Sequence, residues 1–351
     1  MRVAFVGCGY VADLYMATLP NHPELKLAGV HDRNPARQRA FTGHHDVSGY
    51  PSLEALLSDS SVELVVNLTN PGSHAEVTRA ALLAGKHVYT EKPLALDVAE
   101  AEALVVLAAD RGLRLASAPC NLLGEAAQTA WRAIRDGVIG TPRLAYAEVD
   151  AGPIPRAPFR EWVSASGAPW PYEDEFTTGC AIEHAGYVLT WLTAFFGPVA
   201  LVSAYATVAA PNPHVPNPAP NFFAGCLEFA SGVVARVTGG AVAPVDHSLR
   251  VIGDEGVLTV TDCGRYESPV LLGADPFPLV RTRGPLIGYD EIHQMDFARG
   301  VAELAADGSH LPADHALHVL ELTLVLAGAT GGVTVRPATT FAPVAPLPWA
   351  R

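Results

Sequence analysis

Two short segments carry residue types and spacing that could do chemistry. The first is Gly7-Cys8-Gly9-Tyr10-Val11-Ala12, directly after the apolar run Val3-Ala4-Phe5-Val6. Gly7-x-Gly9-x-x-Ala12 between a strand and a helix is a dinucleotide cradle. Gly7 permits the tight turn, Gly9 lets the backbone approach a pyrophosphate, and Ala12 lets helix and strand pack closely. The helix N-terminus faces the phosphates with about half a positive charge, and Cys8, Tyr10 and Val11 complete the cofactor-binding turn. The second segment is Glu91-Lys92-Pro93, directly after the apolar stretch His87-Val88-Tyr89-Thr90. It sets an ammonium group at the carboxyl end of a later strand, where a nicotinamide would lie. Hydride transfer to or from a carbinol carbon needs the C–H directed at the nicotinamide and an acid/base for the hydroxyl proton. Lys92 is the first candidate on the proton side: its ammonium orients substrate oxygen and lowers the pKa of a neighbouring acid. Pro93 fixes the backbone after it, and Glu91 holds the turn.

Asp32 ends the second expected strand, where an acid binds the adenosine ribose hydroxyls. A carboxylate there repels a 2′-phosphate, so NAD is expected over NADP; the neighbouring Arg33 is the group that could pair with a 2′-phosphate instead. Thr69 and Asn70 follow the third strand and can hydrogen-bond the cofactor's ribose and diphosphate. His74 opens the next helix beside them and reads first as a packing or capping histidine of the cofactor site.

Elements in a definite order must position these groups. Apolar strands at Arg2–Val6, Leu25–Val30, Val62–Leu68, Lys86–Thr90 and Leu113–Ala118 alternate with helical stretches, one of them Pro35–Phe41 with Asn34 as its N-cap. That grammar predicts an α/β fold with an N-terminal doubly wound parallel sheet of Rossmann type. Ligands on such sheets sit beyond the carboxyl ends of the strands. From about residue 121 the grammar changes. A helix over Glu125–Asp136 precedes strands at 142–149, 200–208, 222–229, 233–238, 249–252 and 257–261, with turns such as Ala230-Ser231-Gly232. This predicts a C-terminal α+β domain with a large, mostly antiparallel sheet, followed by helices over Tyr289–Ala306 and Pro312–Leu326. The expected division is 1–120 for the cofactor and 121–351 for the substrate and oligomer contacts. Segments 151–176 and 209–221, rich in Pro and aromatics, read as ordered loops near a pocket; Trp162, Trp170 and Tyr172 could stack on a ring, though packing is the first expectation for each.

The composition of the 351 residues narrows the classes. Hydrophobic residues are 49% and charged residues 17%, enough for two packed cores. No apolar run of about 20 residues occurs, so no membrane span is expected. The net charge is −13 and no Lys/Arg cluster stands out, which excludes a nucleic-acid partner. The five cysteines are scattered without C-x-x-C spacing, so neither disulfides nor a metal site is expected. A strand beginning within two residues of Met1 leaves no room for a signal peptide, and a cytoplasmic protein is expected.

Taken together, Gly7-Cys8-Gly9-Tyr10-Val11-Ala12, Asn70-Pro71-x-x-His74, Ala84-Gly85-Lys86-His87-Val88 and Glu91-Lys92-Pro93-Leu94-Ala95 resemble the glucose–fructose oxidoreductase/inositol dehydrogenase (Gfo/Idh/MocA) family. The resemblance continues through 179–197, Gln294-x-x-Phe297-Ala298 and His318-Val319-Leu320-Glu321. It implies hydride transfer with NAD on a sugar, a cyclitol or a sugar conjugate, and a homodimer or homotetramer formed through the open face of the C-terminal sheet. It also implies a helical pair of catalytic groups. Aligned from Phe196-Gly197, Glu183 falls where relatives carry Asp and Tyr187 where they carry His, with Ala185 in place of the intervening glycine. Tyr187 is then the acid/base beside Lys92, its phenol pulled downward by the ammonium, and Glu183 supports Lys92 or binds a substrate hydroxyl. His184, about 100° away on an α-helix, is the alternative acid/base. Asn121 matches a family asparagine near the nicotinamide carboxamide, but Leu122-Leu123 replaces the Arg-Phe that often follows. Three rival readings remain: an NAD-dependent glycoside hydrolase, a non-catalytic NAD-binding regulator, and a non-sugar member of the family such as a reductase of small carbonyls, dihydrodiols or tetrapyrrole-like ligands.

Overall fold

The computed structural model describes residues 1–282 and 295–351. The N-terminal sheet is built from β1 (Arg2–Val6), β2 (Lys26–His31), β3 (Leu64–Asn67), β4 (His87–Thr90) and β5 (Leu115–Ser117). All its pairings are parallel, in the order β2-β1-β3-β4-β5. A single parallel bridge between Val30 and Gly49 extends the β2 edge, so a six-strand Rossmann order survives with one strand reduced to a bridge. The strands are almost wholly apolar because helices cover both faces. These helices are α1 (Tyr10–Thr18), α2 (Pro35–His45), α3 (Leu53–Ser58), α4 (His74–Leu83) and α5 (Val98–Asp110). Their starts follow local chemistry: Asn34 Oδ1 accepts from the amides of Ala36 and Arg37, and Asp97 from that of Glu100.

After α6 (Glu125–Arg135) the chain builds a nine-stranded sheet. It uses β6 (Pro142–Asp150), β7 (Val199–Thr207), β8 (Phe222–Phe229), β9 (Val234–Gly240), β10 (Leu249–Gly253), β11 (Val257–Val260), β12 (Val270–Leu272), β13 (Asp275–Phe277) and β14 (Val333–Val335). Every pairing is antiparallel except β6 with β9. Side chains alternate buried and exposed along β7, β8 and β9, so one face packs on a core and the other is open. The covered face packs against α6 and α8 (Gly186–Phe196), with Trp191, Leu189, Phe223 and Val237 fully buried between the layers.

Beyond the expected elements, α7 (Tyr172–Thr178) forms inside the segment read as loop, and β12, β13 and β14 extend the sheet at its edges. Of the helix expected over 289–306, Ala298–Ala306 is present as α9; 289–294, with Gln294, lies outside the described residues. The last helix, α10 (Ala313–Ala327), packs on both α5 and α8 and ties the two sheets together. α9 returns to the first sheet, where a Cβ on Gly300 would come within 2.3 Å of Tyr89 Oη. Glu303, Asp307 and His310 converge at the end of α9, outside the cleft described below, with His310 Nδ1 2.6 Å from Glu303 Oε1.

Candidate active site

The carboxyl ends of β1, β3 and β4 open into a cleft of about 690 Å³ that reaches across to α7, to the turn before α8 and to the hairpins of the large sheet. Gly7 sits at φ +102°, and a Cβ there would meet Leu68 O at 2.4 Å, so only glycine fits the turn. Gly9 differs: nothing lies within 4 Å of its would-be Cβ, and the residue lines the cleft with Tyr10 and Val11. The missing methyl leaves the backbone open at the N-terminus of α1, a cradle that suits a pyrophosphate. Asp32 underpins this turn: Cys8 N donates to its Oδ2 at 2.8 Å and Asn34 N to its Oδ1 at 2.7 Å. Cys8 is fully buried and holds the turn through its backbone; burial, then Asp32, push its thiol up to about 12. Arg33 is exposed and does not line the cleft; Arg37, one turn into α2, does.

Thr69 and Asn70 line the opposite wall. Thr69 Oγ1 donates to Asn67 Oδ1 at 2.7 Å, and Asn70 Nδ2 donates to Asp174 of α7. A second bridge over the cofactor end joins Ser166 Oγ to Asp13 Oδ2 at 2.7 Å. His74 is 1% exposed, with Nδ1 2.6 Å from Pro93 O and Nε2 2.8 Å from Thr69 O. It ties the two cofactor loops together as a packing histidine. Glu91 takes Tyr15 Oη at 2.7 Å and the Lys92 amide at 3.0 Å, so it fixes the turn that aims Lys92.

Lys92 Nζ is bound to Glu183 across the cleft, and Lys92, Glu183, His184 and Tyr187 all open onto it. The early amine and the later phenol therefore share one cavity. Residues 181–185 form a π-helical turn that leads into α8. His184, the alternative acid/base, lines the cleft together with Glu183. A small cavity of about 40 Å³ behind these groups, lined by Ser117, Thr190 and His315, has room for a water or two.

Protonation follows from burial. Burial works against the Lys92 ammonium, but Glu183, Glu175 and Tyr187 outweigh it and raise its pKa, so the amine stays charged. Burial raises the Tyr187 phenol more than Lys92 lowers it. This corrects the expectation of a phenol pulled downward: in a site this enclosed, desolvation of the phenolate outweighs one nearby cation. Burial, then Lys92 and His247, drive His184 down to about 3, so its ring is neutral.

Asn121 is placed elsewhere. It is fully buried, outside the cleft lining, and its Nδ2 donates to Tyr187 O and Cys263 O, both at 2.9 Å. It positions the backbone of Tyr187 rather than a carboxamide. Trp162, Trp170 and Tyr172 both pack around Phe159 and Phe176 and line the cleft.

Four lining residues carry no motif in the sequence. Glu175, on α7, lies against Glu183; burial and then Glu183 raise its pKa well above the usual carboxylate range. Glu183 Oε1 is buried and meets no other hydrogen-bond partner among the described residues, so a proton on Glu175 satisfies both groups. Asp262 holds His247 Nδ1 at 3.4 Å and Arg265 Nε at 3.1 Å on the far rim.

A parallel Rossmann sheet, a phosphate cradle and a lysine–tyrosine pair at the strand ends define the class of two-sheet NAD(P)-binding proteins. Residues 1–118 match the model of the oxidoreductase family with NAD-binding Rossmann fold, and residues 127–259 match the GFO/IDH/MocA C-terminal domain. The chain belongs to the Gfo/Idh/MocA oxidoreductase family. It is 31% identical over 173 residues to trans-1,2-dihydrobenzene-1,2-diol dehydrogenase of Macaca fuscata fuscata, covering 48% of this chain and 51% of that one. The chain thus spans about half the length of the curated relatives it matches. Two solved structures share the fold. The WlbA dehydrogenase of Chromobacterium violaceum, in complex with NADH and UDP-GlcNAcA, has TM-score 0.72 and 20% identity over 97% of both chains. Biliverdin reductase of Synechocystis, with biliverdin and NADP+, has TM-score 0.68 and 24% identity over 94% of this chain and 99% of that one. Among the described residues no helix is long and apolar enough to cross a membrane.

Proposed function

We propose that this chain is an NAD-dependent oxidoreductase acting on a hydroxyl or keto carbon of a sugar, cyclitol or sugar conjugate. One observation carries the reading: Lys92, Glu183 and Tyr187 open onto the same cleft as the glycine cradle and the Thr69-Asn70 loop. Gly9, Tyr10, Val11, Thr69 and Asn70 hold the dinucleotide, with Asp32 beneath the turn. Bound there, NAD supplies the hydride acceptor and NADH the hydride donor.

The chain's own groups handle the oxygen. Lys92, kept charged by Glu183, draws a substrate carbonyl oxygen toward Tyr187 Oη. The protonated phenol donates as negative charge develops, and the ammonium stabilises that charge; one well-placed donor is worth about 10²–10³ in rate. Both groups rest as donors, which favours hydride addition to a carbonyl. In the reverse direction Tyr187 must first release its own proton to solvent, and its phenolate then takes up the hydroxyl proton. Glu175 shares a proton with Glu183 and keeps the buried acid pair from repelling itself. His184, neutral, accepts a substrate hydroxyl hydrogen bond, and the aromatic wall covers the ring. The preserved Lys92–Glu183–Tyr187 group argues against a silent regulator, and no separate observation favours a glycoside hydrolase.

In this reading residues 1–120 hold the cofactor and 121–351 the substrate. The open sheet face, with Tyr205 and Val234 exposed, supports a homodimer or homotetramer, and five unpaired cysteines suit a reducing cytoplasm. The test is purified protein with NAD+ or NADP+ against a panel of polyols, and with the reduced cofactors against ketoses. Turnover with at least tenfold higher kcat/KM for NAD supports the reading. A protein that binds NADH yet turns over no panel member in either direction contradicts it.

A further inference from the structure

Residues 162–170 form a small β-hairpin that reaches from the second domain to the first. Val163 and Pro169 make an antiparallel bridge, and Trp170 N donates to Trp162 O at 2.9 Å. At the tip, Gly167 takes φ +86° and Ala168 N donates to Ser164 Oγ at 3.1 Å. The base belongs to the second domain: Trp162 and Trp170, ring centres 5.1 Å apart, pack on the cluster of Phe159, Phe176 and Val215.

The tip docks on α1. Ser166 offers its Oγ and its amide to Asp13 Oδ2, at 2.7 and 3.3 Å, and Asp13 Oδ1 lies 2.5 Å from His45 Nε2 of α2. Asp13 is 5% exposed, in the first turn of α1 just after the cradle, and does not line the cleft. Burial works against its charge, but Ser164, Ser166 and His45 outweigh burial and hold the carboxyl below its usual range. The hairpin therefore binds a buried carboxylate outside the cofactor's own contact surface. A second tie joins the same segment to the opposite lip: Asn70 donates to Asp174, and Arg37 of α2 attracts that carboxyl. Between the ties, Trp162, Pro169, Trp170 and Tyr172 line the same cleft as Gly9, Tyr10 and Val11. The segment thus spans the cleft from α1 to the Thr69-Asn70 loop. By contrast α10, which joins the two sheets, contributes no residue to the cleft. A span held at its ends by hydrogen bonds can open while both cores stay folded.

We propose that the 162–170 hairpin is a latch on the dinucleotide: the Ser166–Asp13 tie breaks before the cofactor enters or leaves, and its breaking sets both rates. This rests on the dinucleotide reading of the cradle and is independent of the substrate. The test uses whichever of NADH and NADPH binds tighter. Release is followed by stopped-flow fluorescence on displacement with excess oxidised cofactor, capture by the same signal, and folding by thermal melts.

Ser166→Ala should speed release and capture together by about tenfold, the scale on which one hydrogen bond to a charged group shifts an equilibrium. The dissociation constant should stay within about threefold. Ser166→Thr, which keeps the hydroxyl, should stay within about twofold of wild type. Asp13→Ala should speed both rates at least as much, and adding Ser166→Ala to it should change little further; the two Ser166 variants decide the matter if Asp13→Ala does not fold. Wild-type rates in Ser166→Ala overturn the latch and leave the dehydrogenase standing. Faster release with an equal loss of affinity also overturns it, because Ser166 is then a binding contact and not a gate. So does a Ser166→Thr protein as fast as Ser166→Ala. A wild-type chain that binds neither reduced cofactor removes the dinucleotide reading and the latch with it.

Discussion

Replacing Lys92 with methionine removes one partner of an enclosed ion pair and leaves the other in place. The Lys92 side chain is 21% exposed and that of Glu183 4%. Breaking a buried pair from one side ordinarily costs about 3–5 kcal/mol. The partial exposure of Lys92 and the proton that Glu175 can share place this case near the lower end, at about 3 kcal/mol. For a 351-residue chain that unfolds as a unit, that is a fall in Tm of about 4 °C. Removing the stranded charge as well, in Lys92→Met with Glu183→Gln, should recover at least half of the loss, because the cost lies in an uncompensated carboxylate rather than in lost packing. The assay is a thermal melt of wild type, the two single variants and the double variant at pH 7.5. A double variant no more stable than Lys92→Met alone would refute the argument, since the loss would then not come from Glu183.

Four further outcomes follow from the same geometry. Glu175 has a raised pKa when folded, so below the unfolded value of about 4.3 it contributes nothing. As pH rises above that value the folded state alone keeps the proton, and stability is lost. Glu175→Gln should therefore raise Tm relative to wild type at pH 8 but not at pH 4, and equal shifts at both would contradict the sign. Gly7→Ala should cost more than about 3 kcal/mol through its contact with Leu68 O and its positive φ. Gly9→Ala should melt within about 0.5 kcal/mol of wild type yet bind NADH at least tenfold more weakly, as read by fluorescence titration. With a ring pKa of about 3, His184 does not titrate between pH 5 and 9, so the pH profile of kcat/KM in His184→Gln should keep the wild-type shape while its height falls.

Much of the fold was legible because its signals are local. The strands of the first sheet are short apolar runs, Asn34 and Asp97 cap the helices that follow them, and Gly7 marks a turn no other residue fits. Lys92 was legible for the same reason: a residue just past a parallel strand must emerge on the ligand side. What escaped depends on packing at long range. Glu175, His247, Asp262 and Arg265 come from a short helix and from hairpin turns that carry no motif, and only the folded sheet carries them to the cleft. The π-helical turn at 181–185 leaves no mark in composition, and a regular α-helix was expected there. Asn121 matched a pattern, but full burial sends its amide to two carbonyls. The sign of the Tyr187 shift required knowing how enclosed the phenol is, a property of the closed cleft and not of the tyrosine's neighbours in sequence.

The central claim is that Lys92 and Tyr187 act on one substrate oxygen. Its most direct test is a kinetic double-mutant cycle, with kcat measured for wild type, Lys92→Ala, Tyr187→Phe and both together on the best polyol or ketose, and NADH affinity measured alongside. Groups that act as a unit lose function non-additively. The account predicts that each single change lowers kcat by about 10²-fold or more, that the double change lowers it little further, and that NADH binding stays within about threefold. Fully additive losses, or a Tyr187→Phe enzyme that keeps wild-type kcat, would contradict it.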